Sequence, residues 1–414
     1  MAQTTGGAHV ITELELPTLP PMAPNDDFRL ERLAEARARS WIARTPDGAY
    51  SVLRYEDVAA IHRDRRFVNG GNVALRRSGV TDEGFLARRP NPFLRSEGAD
   101  HVRLRRLVNP AFSAAGAERL RPFMRQELGK IVDAMVREGR ADLVRDLSNS
   151  FPVAVICELV GAPAEDRQRF FDWTREIFRV YGRGEFLASM SSTVQAHREL
   201  DAYTAALIED RRKRPQHYLL DELITSEEAG DKLSTEELQS IVEAMLLAGI
   251  DTTRSQIGIT FATLLQHPDQ LARLVEDPTL IPSAVEESLR YLSSVGGQPR
   301  YVPEDTEYRD VIFPAGTLLF TNFVSANFEP EIWGPDVNTF DVTRDAGAVT
   351  HLTFGHGRHF CLGNFIARAE LQECLAALLP RLTNLRLNGE IAWKSAGAGG
   401  MWGLDHLPVI FDAG

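Results

Sequence analysis

One cysteine in this chain stands where a metal ligand would. Cys361 lies in the run Phe354-Gly355-His356-Gly357-Arg358-His359-Phe360-Cys361-Leu362-Gly363. The glycines at 355, 357 and 363 let the backbone turn tightly and approach a flat ligand, because no Cβ stands in the way. Leu362 to Leu382 reads as an amphipathic helix that begins beside the cysteine. Exposed amides and the positive end of that helix lower a thiol pKa, so Cys361 is expected to be anionic. Arg358 and His359 add positive charge next to it, suited to the sulfur or to an acidic edge of the ligand. Two other readings compete. Cys361 could be a small buried hydrophobe before a helix, or part of a zinc site with His351, His356 and His359, although no C-x-x-C accompanies them and the spacing fits no usual zinc module.

A second constellation sits mid-helix. Ser234 with Glu237 forms a capping box and Pro268 ends the segment, which predicts one helix over about 234 to 267, roughly 50 Å long at 1.5 Å per residue. Its centre, Met245-Leu246-Leu247-Ala248-Gly249-Ile250-Asp251-Thr252-Thr253, places an acid and two alcohols after a glycine in an apolar stretch. Gly249 costs roughly 1 kcal/mol relative to Ala, and hydroxyls compete for the backbone ladder, so local widening or kinking is expected. A kink there would leave a groove beside Asp251 and Thr252.

Other charged residues recur at helical spacing. Glu287 and Arg290, at i and i+3, share a helix face. His101 and Arg105, four apart, could both reach one anionic group. Arg103, Arg106, Arg119, Arg121, Arg125 and Lys130 make a basic tract in an acidic chain, either a solvated face or a docking patch for an acidic partner.

These residues resemble the cytochrome P-450 family of haem-thiolate monooxygenases. The family's haem-binding signature, Phe-Gly-x-Gly-x-His-x-Cys-x-Gly, is met at every fixed position from Phe354 to Gly363, and its oxygen-activation motif, Ala/Gly-Gly-x-Asp/Glu-Thr-Thr/Ser, from Ala248 to Thr253. The resemblance implies a mainly α, single-domain P-450 fold with a minor β region, and haem b between the long central helix and the cysteine loop. In that reading Cys361 is the axial iron ligand, with Phe354, Gly355 and Ala248 against the cofactor. His359, His101, Arg105 and Arg300 reach its propionates. Asp251 and Thr252 deliver protons. Glu287 and Arg290 form a buried structural pair, and Arg344 in Phe340-Asp341-Val342-Thr343-Arg344-Asp345 is the match for its third member, although its neighbours depart from the family's Pro-x-Arg-Phe. The implied reaction inserts one oxygen atom from O2 into a small to medium hydrophobic substrate. Electrons come from NAD(P)H through a separate ferredoxin, or flavodoxin, and its reductase. Leu247, Ala248, Val295 and Trp402 would surround the substrate. A peroxide-dependent peroxygenase and a noncatalytic haem sensor or electron-transfer protein are the alternatives, and the acid-alcohol pair argues against both.

The elements that must position these groups follow from pattern. The chain has 414 residues, 43% hydrophobic and 25% charged, with a net charge of -12. That balance predicts a globular protein and argues against nonspecific nucleic-acid binding. Three cysteines, Cys157, Cys361 and Cys374, make no disulfide framework. With no export signal and no membrane anchor in evidence, a cytoplasmic monomer is expected. Residues 1–26, rich in Pro, Thr and Gly, read as an extended arm before a single domain over 27–414. Helices are predicted at about 100 to 138, 141 to 160, 164 to 182, 190 to 213, 268 to 276 and 279 to 292. Two hairpins are predicted: Ser40–Ile42 with Tyr50–Leu53, and Glu307–Phe313 with Thr317–Thr321 turning at Pro314-Ala315-Gly316. Residues 70 to 98 show little periodicity and read as a functional loop, part of the implied lid. Its Arg76, Arg77, Arg88, Arg89 and Arg95 could recognise a carboxylate.

Overall fold

The computed structural model describes residues 8–20, 26, 28–77, 79–88, 92–179, 190–216, 218–228, 233–345, 347, 349–394 and 401–413. The capping box at Ser234 forms: the Ser234 hydroxyl accepts from the Glu237 amide at 3.2 Å, and the Glu237 carboxylate accepts from the Ser234 amide at 2.9 Å. The helix it starts is two helices, Thr235–Ala248 and Asp251–Gln266, parted at Gly249-Ile250. The Thr252 hydroxyl donates to the Ala248 carbonyl at 2.9 Å, taking the acceptor that belongs to its own amide in an unbroken ladder. A Cβ on Gly249 would lie 2.4 Å from the Ile156 Cδ1, so the glycine lets the Phe151–Val160 helix pack close against the break. Asp251–Gln266 is buried on nearly every side, as a helix crossing the core must be.

Neighbouring helices are broken where sequence pattern suggested continuity. The predicted 100–138 helix is Gly98–Val108 followed by Ala114–Glu138. Pro110 disfavours continuation, and the Ser113 hydroxyl caps the second piece by accepting from the Gly116 amide. The 141–160 segment begins as a strand, Arg140–Asp142, and a wide turn at Val144–Ser148 precedes Phe151–Val160. Within 70–98 the chain is not a bare loop: it carries short helices at Gly71–Arg77, Glu83–Arg88 and Pro92–Arg95.

The minor β region centres on a five-stranded sheet. Its order is Ile42–Arg44, Tyr50–Val52, Leu318–Asn322, Gly297–Tyr301, Val68–Asn69. The first hairpin is as expected, Ile42 opposite Val52. The second is not. Thr306–Tyr308 pairs with Val311–Phe313 through a turn at Arg309-Asp310, both left-handed at φ 50 and 59, while Leu318–Asn322 joins the larger sheet. The amino-terminal segment is laced onto this region: His9–Val10 pairs parallel with Val311–Ile312, and Ile11 and Leu19 are buried.

Candidate active site

The cysteine loop is shaped by two left-handed glycines, Gly355 at φ +73 and Gly357 at φ +70, and a Cβ on Gly357 would sit 2.8 Å from the His62 carbonyl. Cys361 is strapped at both ends. Its amide donates to the Phe354 carbonyl at 2.9 Å, and its carbonyl accepts from Asn364 Nδ2 at 2.9 Å. The expectation of a pre-formed thiolate is corrected. Burial pushes the Cys361 thiol up, outweighing the Gly363 amide and the Arg105 and Arg368 charges, and the helix proper starts only at Asn364. Coordination to a metal cation would supply the charge that burial opposes.

Around the loop the predicted cations converge. His101 Nε2 bonds the Arg358 carbonyl at 2.9 Å, and its ring lies 4.4 Å from that of His359. Arg105 donates to the Phe360 carbonyl at 2.9 Å. Arg300 is buried, which pushes its pKa down to about 10, and it donates to His62 Nδ1 at 2.9 Å. Because a guanidinium cannot accept, His62 must present Nδ1 as acceptor and carry its proton on Nε2, which bonds Thr321 Oγ1 at 2.9 Å. Burial, with Arg300 beside it, pushes the His62 imidazole down to about 2, so it is neutral.

Sequence reasoning missed His62 and also Glu97. Glu97 accepts from His359 at 3.0 Å and from Arg358 Nε at 2.7 Å. Burial opposes its charge, but those two partners hold it below the usual carboxylate range. No local pattern marks either residue, since both are defined by contacts more than 230 positions away. Their positions carry information nonetheless: the cluster already binds a carboxylate, so its donor set suits the two carboxylates of haem.

The broken helix brings its polar groups to the same region. Ala248 is exposed and Thr252 partly so, although Leu247, Ile250, Asp251 and Thr253 are buried, which gives this turn one open face. Asp251 is clamped. Arg254 Nε donates to it at 3.0 Å and reaches Asn149 Oδ1 with Nη1 at 3.2 Å. The i, i+3 spacing of Asp251 and Arg254 was visible in the sequence and unused. Thr253 points the other way, to Glu370 on the Asn364–Leu378 helix; burial raises that carboxyl well above its usual pKa, so it is neutral.

Glu287, Arg290 and Arg344 come together as one buried ion cluster. Arg290 donates to both Glu287 oxygens at 2.7 and 2.8 Å, and Arg344 Nε lies 3.2 Å from Glu287 Oε2. Among the apolar candidates, Leu247 belongs to the main α core, and Val295 pairs with Met401 through an isolated bridge. Trp402 is a correction: it is buried with Leu19, Leu33 and Ile259, with Arg29 over its ring at 5.2 Å, and is core. The bridge makes Met401, not Trp402, the residue opposite Val295.

The basic tract is mostly spent on ion pairs. Arg103 holds Glu237, Arg121 and Arg125 hold Glu373, and Lys130 holds Glu127, leaving Arg106 and Arg119 exposed with no acidic partner among the described residues. Arg106 lines a pocket of about 710 Å³ with Arg65, Arg103, Val102 and Leu107. Arg76 pairs with Glu83 and Arg77 with the Asp47 carbonyl, away from any carboxylate-recognition role, and Arg95 is exposed. Arg89 and the side chain of Arg88 lie outside the described residues.

Among the described residues no three His, Cys, Asp or Glu side chains converge on one ion, so the zinc alternative has no site. A mainly α fold that offers a single strapped sulfur beside carboxylate-binding cations is that of a thiolate-ligated haem protein. The family model for cytochrome P450 matches residues 69–385, and the chain belongs to that family. It is similar to the mycinamicin IV hydroxylase/epoxidase of Micromonospora griseorubida, 38% identical over 89% of this chain and 91% of the relative. It is also similar to the vitamin D(3) 25-hydroxylase of Pseudonocardia autotrophica, 36% identical over 88% of each. In structure it matches P450BioI, solved with a fatty-acyl-loaded acyl carrier protein, at a TM-score of 0.85 and 29% identity, covering 94% of this chain and all of that one. The chain is therefore a P450-type monooxygenase. No described helix is long and apolar enough to cross a membrane.

Proposed function

We propose that this enzyme inserts one oxygen atom from O2 into a small to medium hydrophobic organic substrate, with Cys361 as the proximal ligand of haem b. The observation that carries this reading is the strapped Cys361 sulfur set among hydrogen-bond donors, two of which, Arg358 and His359, already grip the Glu97 carboxylate. When bound, haem supplies the redox chemistry that activates dioxygen, with the thiolate favouring O–O cleavage. His101, Arg105, Arg300 and His359 hold its carboxylates, and Phe354, Gly355 and Ala248 pack against it.

Thr252 turns its hydroxyl into the open face of the broken helix, and Asp251 passes protons toward it when it leaves Arg254. Ala248 and Val295, with Met401 in the place expected for Trp402, give an apolar wall for substrate, and Leu247 packs behind it in the core. Of the 70–98 stretch, the helices Gly71–Arg77, Glu83–Arg88 and Pro92–Arg95 serve as part of its lid. Electrons derive from NAD(P)H through a ferredoxin or flavodoxin and its reductase, and the partner docks where Arg106 and Arg65 rim an apolar pocket. Residues 27–414 act as one catalytic unit, a cytoplasmic monomer, with 1–26 as its arm. The test is the reduced carbonyl spectrum. Haem-loaded enzyme should give the thiolate-type band, Cys361→Ser should lose it, and a band of the imidazole type in the wild-type protein would overturn the assignment. A compound-library titration read at the ferric Soret band then identifies substrates by the low- to high-spin shift.

A further inference from the structure

Two adjacent carboxylates on the Ile281–Tyr291 helix face different tasks. Glu287 turns to Arg290 and Arg344. Glu286 turns to the cysteine side and takes a bidentate contact from Arg368, Nε at 2.6 Å and Nη2 at 2.9 Å. Arg368 stands about one turn into the helix that follows Cys361, with its guanidinium carbon 4.6 Å from the centre of the Phe354 ring. Its Nη1 donates to Asn364 Oδ1 at 2.8 Å, and Asn364 Nδ2 donates to the Cys361 carbonyl. Phe354 in turn accepts the Cys361 amide. Arg368 thus grips both straps of the ligand residue at once, while its charge favours the sulfur anion.

The other side of Glu286 is equally built. His351, fully buried, brings Nε2 to 3.3 Å from Glu286, and neither of its ring nitrogens makes a hydrogen bond of good geometry. Its ring centre lies 5.6 Å from that of Phe354. His351, Glu286 and Arg368 line a pocket of about 140 Å³ that also reaches Thr350 at the surface. A half-buried cation beside a sulfur that would hold a metal, balanced by a carboxylate with an outlet to water, is an arrangement in which small charge changes would reach the metal.

We infer that Arg368 and Glu286 form a charge couple that sets the electron-donor strength of the Cys361 sulfur, and with it the reduction potential of the haem. This rests on Cys361 being the haem ligand. The Arg368 charge draws electron density from the sulfur and favours the ferrous state; the Glu286 charge cancels part of that pull. Removing one or the other must therefore move the potential in opposite directions, whereas an ion pair that only holds the fold would change stability and leave the potential where it was.

Equilibrium redox titration of the haem-loaded protein, with the reduced carbonyl spectrum recorded on the same samples, tests this. Glu286→Gln should raise the ferrous-to-ferric ratio at fixed potential about tenfold, a shift of about 59 mV for one electron. Arg368→Gln should lower it by a similar factor, and Arg368→Lys, which keeps the charge but loses the fork, should stay near wild type. If Arg368→Gln fails to load haem, Glu286→Gln against Arg368→Lys still decides the matter. Unmoved potentials, or shifts of the same sign, with the thiolate carbonyl band intact would overturn this inference alone. Loss of that band in the wild-type protein would overturn the ligand assignment and this inference with it.

Discussion

Glu287→Gln is the perturbation whose cost the structure specifies best. The Glu287 and Arg290 side chains are each 1% exposed and that of Arg344 is 8% exposed, so all three have left water. Gln preserves shape and one acceptor but removes the carboxylate paired with Arg290, whose other donors reach the Asn327 and Thr339 carbonyls at 3.0 and 3.4 Å. Breaking such a pair from one side leaves an uncompensated buried cation and costs about 3–5 kcal/mol. That is a large share of the roughly 5–15 kcal/mol that holds a domain together. Arg344→Gln should cost less, about 1.5–3 kcal/mol for lost charge-assisted hydrogen bonds, because Glu287 keeps its bidentate contact with Arg290. Replacing both partners, Glu287→Gln with Arg290→Met, should recover much of the loss, since the one cation that remains, Arg344, keeps Asp336 at 3.3 Å. Urea unfolding of the haem-loaded variants by far-ultraviolet circular dichroism measures all three. Glu287→Gln costing under about 1 kcal/mol, or Arg344→Gln costing as much as Glu287→Gln, would refute the claim that Glu287 is the common counter-charge.

Three further outcomes are expected. Thr252→Ala removes the hydroxyl that sits in the break of the central helix; proton placement of this kind is worth about 10² to 10⁴ in rate, so product per NAD(P)H should fall steeply and peroxide rise, and unchanged coupling would exclude the role. Arg106→Glu should slow reduction by a ferredoxin on the order of tenfold and leave reduction by dithionite alone; equal effects on both would remove the docking assignment. His62, held neutral when folded, takes a proton near pH 6.5 only after unfolding, so its contribution is full above that pH and is lost as pH falls from there toward about 2. At pH 5.5 the loss is about 1.4 kcal/mol, and His62→Gln should show a correspondingly flatter stability profile between pH 7.5 and 5.5. An identical profile in the two proteins would mean that His62 is charged in the native state.

What could be read in advance was what short-range spacing encodes. The Ser234 cap, the Ile42–Arg44 hairpin and the glycine loop of Cys361 are each decided by residues within a dozen positions of one another, and each forms. The second hairpin failed because two turn signals competed. Pro314-Ala315-Gly316 has the stronger local chemistry, and a turn does form there, with Gly316 at φ +91 and the Thr317 amide on the Pro314 carbonyl at 3.1 Å. The tight hairpin nevertheless turns at Arg309-Asp310, two non-glycine residues in left-handed conformation, because Asp57, from a helix some 250 positions earlier, holds both Arg309 and the Tyr308 hydroxyl. Glu97, His62 and the burial of Trp402 were hidden for the same reason: each depends on partners that only the finished fold supplies.

The two motifs that were legible separately are joined by a contact that was not. Thr252 and Thr253 are consecutive on a helix, so their side chains diverge by about 100°. The first faces the open turn with Ala248; the second meets Glu370, nine positions after Cys361 on the helix the cysteine leads into. A charged Glu370 would be intolerable where it is buried, and burial keeps it protonated. That carboxyl and the Thr253 hydroxyl bring the two helices together with no ion pair between them. Two adjacent alcohols thus divide the work: Thr252, whose hydroxyl donates to the Ala248 carbonyl across the break, stands on the open face, while Thr253 faces the helix that follows the sulfur.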